Sequence, residues 1–241
     1  MGHKFADIAF TPAVKAVQEA MGSRGAYARR EAGPDTNDRL GPTEAEFIAA
    51  RDSFYIASVS ETGWPYVQFR GGPPGFLRVR TDRELGFADF RGNRQYVTTG
   101  NVTIDDRVAL FLMDYPNRRR LKIFGRMRTV DVDDDLTLGA RLAVPDYRAV
   151  IERAFLIKVE AFDWNCPQHI TPRFTEAEIA RAFASSRGDT QNCGPSFSAA
   201  GPLARRDRCH HPLTSFGGGP AAMFREIQLR SPSDVPDIRG G

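Results

Sequence analysis

The sequence predicts a mainly β protein with flanking helices, built around an antiparallel barrel. Short segments rich in β-branched and aromatic residues follow one another between residues 54 and 162. Turn-forming Gly, Pro, Asn and Asp residues separate most of these segments. Segments with a helical spacing of apolar residues stand mainly before and after this region. Short strands at close spacing, with helices at the ends, are typical of such a barrel.

The N-terminal region carries signals for two helices. Thr11-Pro12 and the apolar spacing that follows predict a helix that Gly22 ends. Residues 22–42 contain little apolar material and are predicted to form a surface connection. Thr43 and Glu46 have the spacing of a capping box and predict a second, short helix.

The central region supplies the predicted strands, which cover residues 54–59, 65–70, 76–80, 85–89, 107–115, 121–130 and 154–162. Residues 131–142 and 145–153 are predicted to be helical. Thr175 and Glu178 form another capping-box pattern and predict a helix after the last strand.

Three regions follow from these elements. Residues 1–42 are predicted to form an N-terminal helix and connection, and residues 43–185 the barrel domain. Beyond Ser185 the hydrophobic periodicity disappears, and Gly, Pro, Ser, Arg and Asp dominate. Such a segment buries too little apolar area to offset the entropy lost on ordering, so residues 186–241 are predicted to be a mostly disordered tail.

The composition fits an ordinary globular protein. The chain has 241 residues, of which 41% are hydrophobic and 26% charged. No apolar run approaches the ~18 residues of a membrane span, and the first ten residues lack the apolar stretch of a secretory signal. The three cysteines have no CxxC spacing. We therefore expect a cytoplasmic protein without a disulfide framework.

The charge argues against nucleic acid as the partner, because a net charge of +3 is small for this length. All but four of the 33 basic residues are arginines, and an arginine can bind a phosphate through two parallel hydrogen bonds. Codon bias in a GC-rich genome is the alternative explanation of this excess. Each arginine therefore has to be judged by its position.

The segment Asn93-Arg94-Gln95 is the first candidate site. It follows a glycine at the end of a predicted strand, and a possible helix N-terminus comes after it. Hydrogen-bond donors in this arrangement suit a phosphate group. A solvated polar loop is the alternative interpretation.

Two predicted strands carry further candidates. Alternation places Gln68 and Arg70 on one strand face, and Arg120 and Lys122 on one face of another strand. A cationic face inside or beside a barrel needs an anionic partner, because burying an unpaired charge is costly. The alternatives are exposed polar side chains for the first pair and a strand edge protected by charge for the second.

A polar and aromatic cluster follows the final predicted strand. Trp164 with Asn165, Gln168 and His169 could stack on a planar ring and hydrogen-bond to it. For His169 alone, a structural role is favoured over a catalytic one. Cys166 is interpreted as an inert thiol. Metal binding is not predicted, because the remaining cysteines and histidines lack zinc-finger spacing; they are Cys193, Cys209, His210 and His211.

Four stretches of the chain resemble the pyridoxamine 5′-phosphate oxidase-like FMN-binding split-barrel family, in the family's own order. They read FYIASVSETGWPYVQFRGGPPGFLRV, LGFADFRGNRQYVTTGN, ALFLMDYPNRRRLKIFGR and FDWNCPQHI. The resemblance covers about residues 10–185 and is nearest to a bacterial branch of uncertain substrate. It implies a six-stranded antiparallel split β-barrel that forms a homodimer, with FMN at the interface between the two copies.

The resemblance also implies roles for particular residues. Gln68-Phe69-Arg70 falls where the family contacts the flavin ring and ribityl chain. Asn93-Arg94-Gln95 falls where a Ser-Arg-Lys segment binds the phosphate, and Gln95 replaces the lysine. Arg120 falls where a glutamine commonly contacts the flavin, and Lys122 falls where a basic residue is common, so both are expected to bind the cofactor. The closing motif is expected near the isoalloxazine, through Trp164, Asn165 and Gln168.

One departure from the family bears on the substrate. The vitamin B6 enzyme closes with an Arg-x-His arrangement, which is absent from DWNCPQHITPRF, so pyridoxamine phosphate is not predicted as the substrate. The resemblance implies an FMN-dependent oxidoreductase of an unidentified small molecule, with NADH or NADPH as candidate electron donor. A flavin-binding carrier or sensor without turnover is the alternative. No catalytic acid or base is predicted.

Overall fold

The computed structural model describes residues 3–33, 36–164 and 167–190, the last six by their backbone alone. The helices are α1 (Lys4–Ala9), α2 (Pro12–Ala20), α3 (Arg24–Glu31), α4 (Pro42–Ala49), α5 (Val97–Ile104), α6 (Leu136–Leu142) and α7 (Glu176–Thr190). The strands are β1 (Ser53–Val59), β2 (Pro65–Gly71), β3 (Arg78–Thr81), β4 (Glu84–Phe90), β5 (Arg107–Asp114), β6 (Arg119–Asp131) and β7 (Ile151–Trp164). None of the helices in these ranges could cross a membrane.

The strands form one antiparallel sheet in the order β2-β1-β5-β6-β7-β4-β3. This sheet curls on itself. Phe54 of β1 and Phe87 of β4 meet edge to face with their ring centroids 5.3 Å apart. In a flat sheet, strands four positions apart would be separated by about 19 Å. The predicted class of an antiparallel barrel with flanking helices is therefore confirmed.

The strand count differs from the expected six. The described sheet has seven strands, and the shortest of them, β3, has four residues and pairs only with β4 at the end of the sheet. All the runs predicted from β-branched and aromatic content form strands, so the residue pattern was a better guide to the number than the family resemblance was.

A large hydrophobic core fills the barrel. Alternate residues of β5 and β6 point inward, among them Leu110, Leu112, Leu121 and Ile123, which are all buried. The helix α4 adds Phe47 and Ile48 to the same cluster. This inward row also fixes the opposite face, because side chains alternate across a strand.

The prediction that residues 22–42 form only a surface connection was wrong, because α3 lies within them. This helix has no buried residue, so no apolar period could reveal it. Polar contacts near its two ends hold it. Arg24 pairs with Glu31, and its Nη1 donates to Gln18 Oε1 at 3.0 Å.

The start of α4 was predicted two residues too late. The helix begins at Pro42, and Gly41 precedes it as the N-cap. The backbone N–H of Gly41 donates to the carboxylate of Glu44, not of Glu46, at 2.9 Å. Gly41 has an extended backbone and no hydrogen-bonding side chain of its own.

The predicted helix over residues 145–153 is also wrong. Residues 145–150 form no helix, and β7 begins at Ile151 and pairs with both β4 and β6. Sheet pairing overrides the local helix propensity here. Of the helix predicted over 131–142, only α6 forms. Its N-cap Asp135 accepts from the Leu138 N–H at 2.8 Å.

Residues up to Pro172 belong to one compact unit, and a second unit begins at Arg173. In the second unit α7 starts as predicted, because Thr175 Oγ1 accepts from the Glu178 N–H and the Glu178 carboxylate accepts from the Thr175 N–H at 2.8 Å. The helix continues to Thr190, beyond the predicted boundary at 185. Residues 191–241 of the predicted tail lie outside the described residues.

Candidate functional site

A polar cavity of about 220 Å³ lies where the two ends of the sheet meet. Strands from both ends, the loop before α5 and the start of β7 line it, through Gln68, Arg70, Asp89, Phe90, Gly92, Asn93, Arg94, Tyr96, Thr99 and Glu152. The sheet must close before these residues become neighbours.

An ion pair closes this end of the barrel. Arg70 Nη1 on β2 donates to Asp89 Oδ1 on β4 at 2.7 Å, and Arg153 Nε lies 3.7 Å from the other carboxylate oxygen. Asp89 is only 4% exposed. Burial raises the pKa of the Asp89 carboxyl, although Arg70 and Arg153 act in the opposite direction. Arg70 Nε is buried and has no hydrogen-bond partner among the described residues.

The loop between β4 and α5 presents Arg94. Arg94 and Tyr96 both have a left-handed backbone, with φ of 62° and 54°, which is uncommon for residues other than glycine. The Gln95 N–H donates to Asn93 Oδ1 at 3.2 Å and steadies the loop. Helix α5 follows at once with Val97, and a helix N-terminus favours anions.

Arg94 uses only part of its guanidinium within the protein. Its Nε donates to the Tyr96 hydroxyl at 3.1 Å. Within the described residues its two terminal nitrogens make no hydrogen bond, and the side chain is exposed at the cavity. The hydroxyl of Tyr96 and Glu152 together raise the pKa of the Arg94 guanidinium, the hydrogen bond being the larger cause.

Glu152 is the second acid of the cavity. Its Oε1 accepts from the Tyr96 hydroxyl at 3.0 Å and from Arg91 Nε at 2.8 Å. The hydrogen bond from Arg91 is the main reason why the pKa of the Glu152 carboxyl lies below its usual value. Glu152 is therefore ionised at neutral pH and neutralises part of the arginine charge.

The structure brings several predicted residues into this cavity. Gln68, Arg70, Asn93 and Arg94 all line it, and Gln68 Oε1 is fixed by a hydrogen bond from Thr98 Oγ1 at 2.8 Å. The side chain of Gln95 is exposed and does not line the cavity. Phe69 lies on the opposite face of β2.

Phe69 belongs to an exposed apolar surface, which we call the β1–β2 face. It comprises Tyr55, Val67 and Phe69, which are 38%, 61% and 58% exposed. The rings of Tyr55 and Phe69 pack edge to face with their centroids 5.7 Å apart. This face adjoins a second cavity, of about 400 Å³, whose lining includes Tyr55 and Val67.

Arg120 and Lys122 lie on one face of β6, opposite the buried Leu121 and Ile123, as alternation predicted. They do not line the polar cavity. Lys122 lines the second, mainly apolar cavity, where its Nζ is 2.8 Å from Asp163 Oδ2 and 4.6 Å from the centroid of the Phe5 ring. The Arg120 guanidinium lies 5.4 Å from the centroid of the Phe111 ring.

The closing motif is also remote from the lining of the polar cavity. Trp164 Nε1 donates to Glu44 Oε1 at 2.8 Å, and its ring packs against Phe47 and beneath the guanidinium of Arg119. Gln168 and His169 are exposed. The other predicted positions lie outside the described residues, namely Asn165, Cys166, Cys193, Cys209, His210 and His211.

Sequence reasoning missed several residues of the cavity lining and one residue beside it; the lining residues are Asp89, Phe90, Tyr96, Thr99 and Glu152, and the neighbour is Arg153. Asp89 is the single acid within the strand segment LGFADF, and a buried acid of this kind requires a partner. That was the one available signal. Glu152 and Arg153 lay in a segment predicted to be helical, so their placement beside β4 could not be foreseen.

The arrangement suits a small anion. Arg70 and Arg94 supply donors, and a cavity of about 220 Å³ is smaller than the ~300–1,000 Å³ of a site that encloses a whole ligand. It can hold a phosphate group, while the rest of a larger molecule stays outside. Fold and cavity together define an antiparallel barrel with a polar, arginine-lined cavity at the junction of its sheet ends.

Comparison with known proteins identifies the family. The family model of pyridoxamine 5′-phosphate oxidase matches residues 40–164, just over half of the chain. The chain therefore belongs to this family. The matched range contains the whole sheet and the polar cavity, whereas α1, α2 and α3 precede it. A comparison with curated proteins finds no match.

Several solved structures are similar in part. An FMN-binding protein from Syntrophomonas wolfei is 12% identical over 50% of this chain and 81% of its own, with a TM-score of 0.39. General stress protein 26 from Bacillus anthracis is 14% identical over 54% and 92%, with a TM-score of 0.39. An F420 reductase is 19% identical over 51% and 98%, with a TM-score of 0.37. Similarities at this level do not decide the ligand or the reaction.

Proposed function

We propose that this protein binds FMN and acts as an FMN-dependent oxidoreductase on a small molecule. The observation that carries the proposal is the polar cavity, where Arg70 and Arg94 face a space of phosphate size. Membership of the pyridoxamine 5′-phosphate oxidase family supports a flavin nucleotide as the molecule whose phosphate group binds in this cavity. When bound, the flavin supplies hydride transfer, while the protein supplies orientation and electrostatics.

The cavity residues have distinct tasks in this proposal. The terminal nitrogens of Arg94 bind phosphate oxygens, because a guanidinium matches them in geometry and charge. Arg70 adds positive charge from the opposite side. Gln68 and Asn93 hydrogen-bond to the polar chain next to the phosphate. Gln95, where the family has a lysine, contributes no charge, and Arg153 near Asp89 offsets that loss.

The flavin ring would lie outside the polar cavity, because the cavity is smaller than a site that encloses a whole ligand. We propose that a second copy of the chain covers the ring, as the family resemblance implies for a homodimer. The exposed β1–β2 face supports this, because contiguous apolar surface marks interaction sites. Arg120, Lys122 and the closing motif with Trp164 are proposed to contact the flavin from such an interface.

The chemistry of the substrate stays open within this proposal. The missing Arg-x-His arrangement disfavours pyridoxamine phosphate, and NADH and NADPH are the electron donors to be tested. The polar cavity contains two acids, Asp89 and Glu152, but both are engaged by arginines. Neither is assigned as a general acid or base.

The decisive experiment identifies what the protein carries. The chain is purified without added cofactor, its visible spectrum is recorded, and the small molecule released on denaturation is identified by mass. FMN is the expected result. A released deazaflavin, or a protein that stays colourless and does not take up added FMN, would overturn the proposal.

Turnover is tested next on the FMN-loaded protein. Bleaching by NADH or NADPH, followed by reoxidation in air, is expected of an oxidoreductase. Stable colour with a broad panel of reductants would instead indicate a flavin carrier or sensor.

A further inference from the structure

We infer that Tyr96 and Glu152 form a positioning pair that holds Arg94 in the orientation needed to bind a phosphate. This inference rests on the proposed function of the polar cavity. Both residues line that cavity, and neither is itself the phosphate ligand. Their role is to fix where the guanidinium of Arg94 points.

A β-bulge places Glu152 at the cavity. Along the β4–β7 ladder Asp89 pairs with Arg153, but the next residue, Phe90, pairs with Ile151. Glu152 is therefore the extra residue on β7 with no partner on β4. Bulges of this kind redirect a side chain and occur next to functional sites. Here the bulge directs the Glu152 carboxylate toward Tyr96.

A chain of hydrogen bonds then runs from Glu152 to Arg94. Arg91 Nε donates to Glu152 Oε1 at 2.8 Å, the Tyr96 hydroxyl donates to the same oxygen at 3.0 Å, and Arg94 Nε donates to the hydroxyl at 3.1 Å. Because the hydroxyl gives its single hydrogen to Glu152, its lone pairs face Arg94. The Glu152 carboxylate thus orients the Tyr96 hydroxyl so that it accepts the hydrogen bond from Arg94.

The ring of Tyr96 is fixed from its other side as well. The guanidinium of Arg153 lies 4.8 Å from the ring centroid, a favourable cation–π distance. Arg153 is itself held by a hydrogen bond to Thr99 Oγ1 at 3.2 Å. The left-handed backbone at Tyr96 orients the ring back toward the cavity, at a conformational cost that a merely solvated side chain would not justify.

As a result, only the Nε of the Arg94 guanidinium is engaged by the part of the chain that the structure describes. With Nε bound to Tyr96, the two terminal nitrogens of Arg94 remain available for two phosphate oxygens. A guanidinium free to rotate would lose rotamer entropy on binding, whereas a fixed one has already lost it. Tyr96 and Glu152 should therefore affect recognition of the phosphate and leave recognition of the flavin ring unchanged.

The test compares the affinities for FMN and riboflavin, which differ only in the phosphate, measured by flavin fluorescence quenching on the full chain stripped of cofactor. Tyr96→Phe should weaken FMN binding by about threefold to tenfold, the range expected for one lost hydrogen bond. Riboflavin affinity should stay the same. Tyr27→Phe is the matched control, because Tyr27 has the same 37% exposure as Tyr96 and lies in α3.

A double-mutant comparison tests whether the two residues act as a pair. In the Glu152→Ala background, where nothing orients the Tyr96 hydroxyl, Tyr96→Phe should change the FMN-to-riboflavin affinity ratio less than it does in the wild-type chain. Glu160→Ala, on the same strand, is the control. Additive losses, or an unchanged ratio in Tyr96→Phe, would overturn the inference.

Two outcomes separate this inference from the proposed function. If the wild-type chain binds riboflavin as tightly as FMN, the cavity does not bind the phosphate, and both the proposed function of the cavity and the positioning pair are wrong. A wild-type chain that prefers FMN, with a Tyr96→Phe variant that keeps the full preference, removes only the positioning pair. If Tyr96→Phe does not fold, Glu152→Gln provides the same readout with a smaller expected change.

Discussion

Arg70 and Asp89 are joined by a 2.7 Å hydrogen-bonded ion pair, although their strands stand first and sixth in the seven-stranded sheet. In a flat sheet those strands would lie about 24 Å apart. The pair therefore exists only because the barrel closes, and it forms one wall of the polar cavity. Folding and the proposed anion site depend on the same contact.

Removal of the acid from this pair should destabilise the fold. Asp89→Ala leaves the largely buried Arg70 side chain without its counter-ion, and breaking a buried ion pair costs about 3–5 kcal/mol. The free energy of unfolding in urea measures this. Asp82→Ala, which breaks an exposed pair with Arg39, is the control and should change little. Equal small losses in both variants would show that the Arg70–Asp89 contact does not contribute to closure.

Loss of Arg94 should weaken the phosphate end of the site. Arg94→Ala is expected to reduce FMN affinity by roughly tenfold to a hundredfold, as for a lost charged hydrogen bond. Riboflavin affinity should be little changed, and isothermal titration measures both. Arg128→Ala, an exposed arginine on β6, controls for the general loss of positive charge. An unchanged FMN affinity would remove Arg94 from the site.

Gly125 is the position where β6 shifts register against β7. A Cβ there would lie 2.6 Å from Ile157 Cγ2 and 2.7 Å from the carbonyl oxygen of Lys158. Gly125→Ala should therefore destabilise the protein by about 1–3 kcal/mol through overpacking. Gly100→Ala, inside α5 with nothing within 4 Å of the new methyl group, should stabilise it by about 0.4–1 kcal/mol. Thermal and urea unfolding give the sign of both changes.

The exposed β1–β2 face should carry the proposed dimer. Val67→Lys introduces a charge into this face and is expected to shift the protein from dimer to monomer in light scattering after gel filtration. Ile104→Lys changes an equally exposed apolar residue on α5 and should leave the dimer intact. A wild-type chain that is monomeric at every concentration, with or without FMN, contradicts the proposed dimer.

Asp105 should make part of the stability depend on pH. Hydrogen bonds from Arg107 lower the pKa of the Asp105 carboxyl to about 2 in the folded chain. Its pKa in the unfolded chain is about 3.9, so the pair stabilises the fold above about pH 4 and loses this effect as the pH falls toward 2. Asp105→Asn should reduce the stability lost between these pH values, and Arg107→Gln should reproduce the change. Unfolding curves parallel to wild type across this range would disprove the assignment.

The strands could be predicted from the sequence, because alternation and β-branched content survive in almost any context. The segments around Phe54, Leu110 and Ile123 are clear examples. The helix caps were more variable. Thr175 and Glu178 form the capping box that their spacing predicts. The N-cap of α4 could not be predicted in this way, because it is Gly41, which has no side chain, and Glu44 accepts the hydrogen bond from its N–H.

Half of the polar cavity could be predicted and half could not. Asn93 and Arg94 stand out locally, since a donor-rich loop follows a glycine. Glu152 depends on a bulge, and a bulge is a property of strand register that a single sequence does not reveal. Tyr96 reads as an ordinary aromatic until its left-handed backbone and its neighbours are known. Partners brought together by barrel closure leave no local pattern.

The polar cavity is lined by β2 and β4, the first and sixth strands of the sheet. Any molecule bound there therefore contacts two parts of the chain that meet only in the closed barrel. The ligand-bound protein has to release its ligand before the barrel can unfold, so ligand binding raises the melting temperature by mass action. If the proposed FMN is the molecule bound there, a preparation only partly loaded with FMN should melt in two steps.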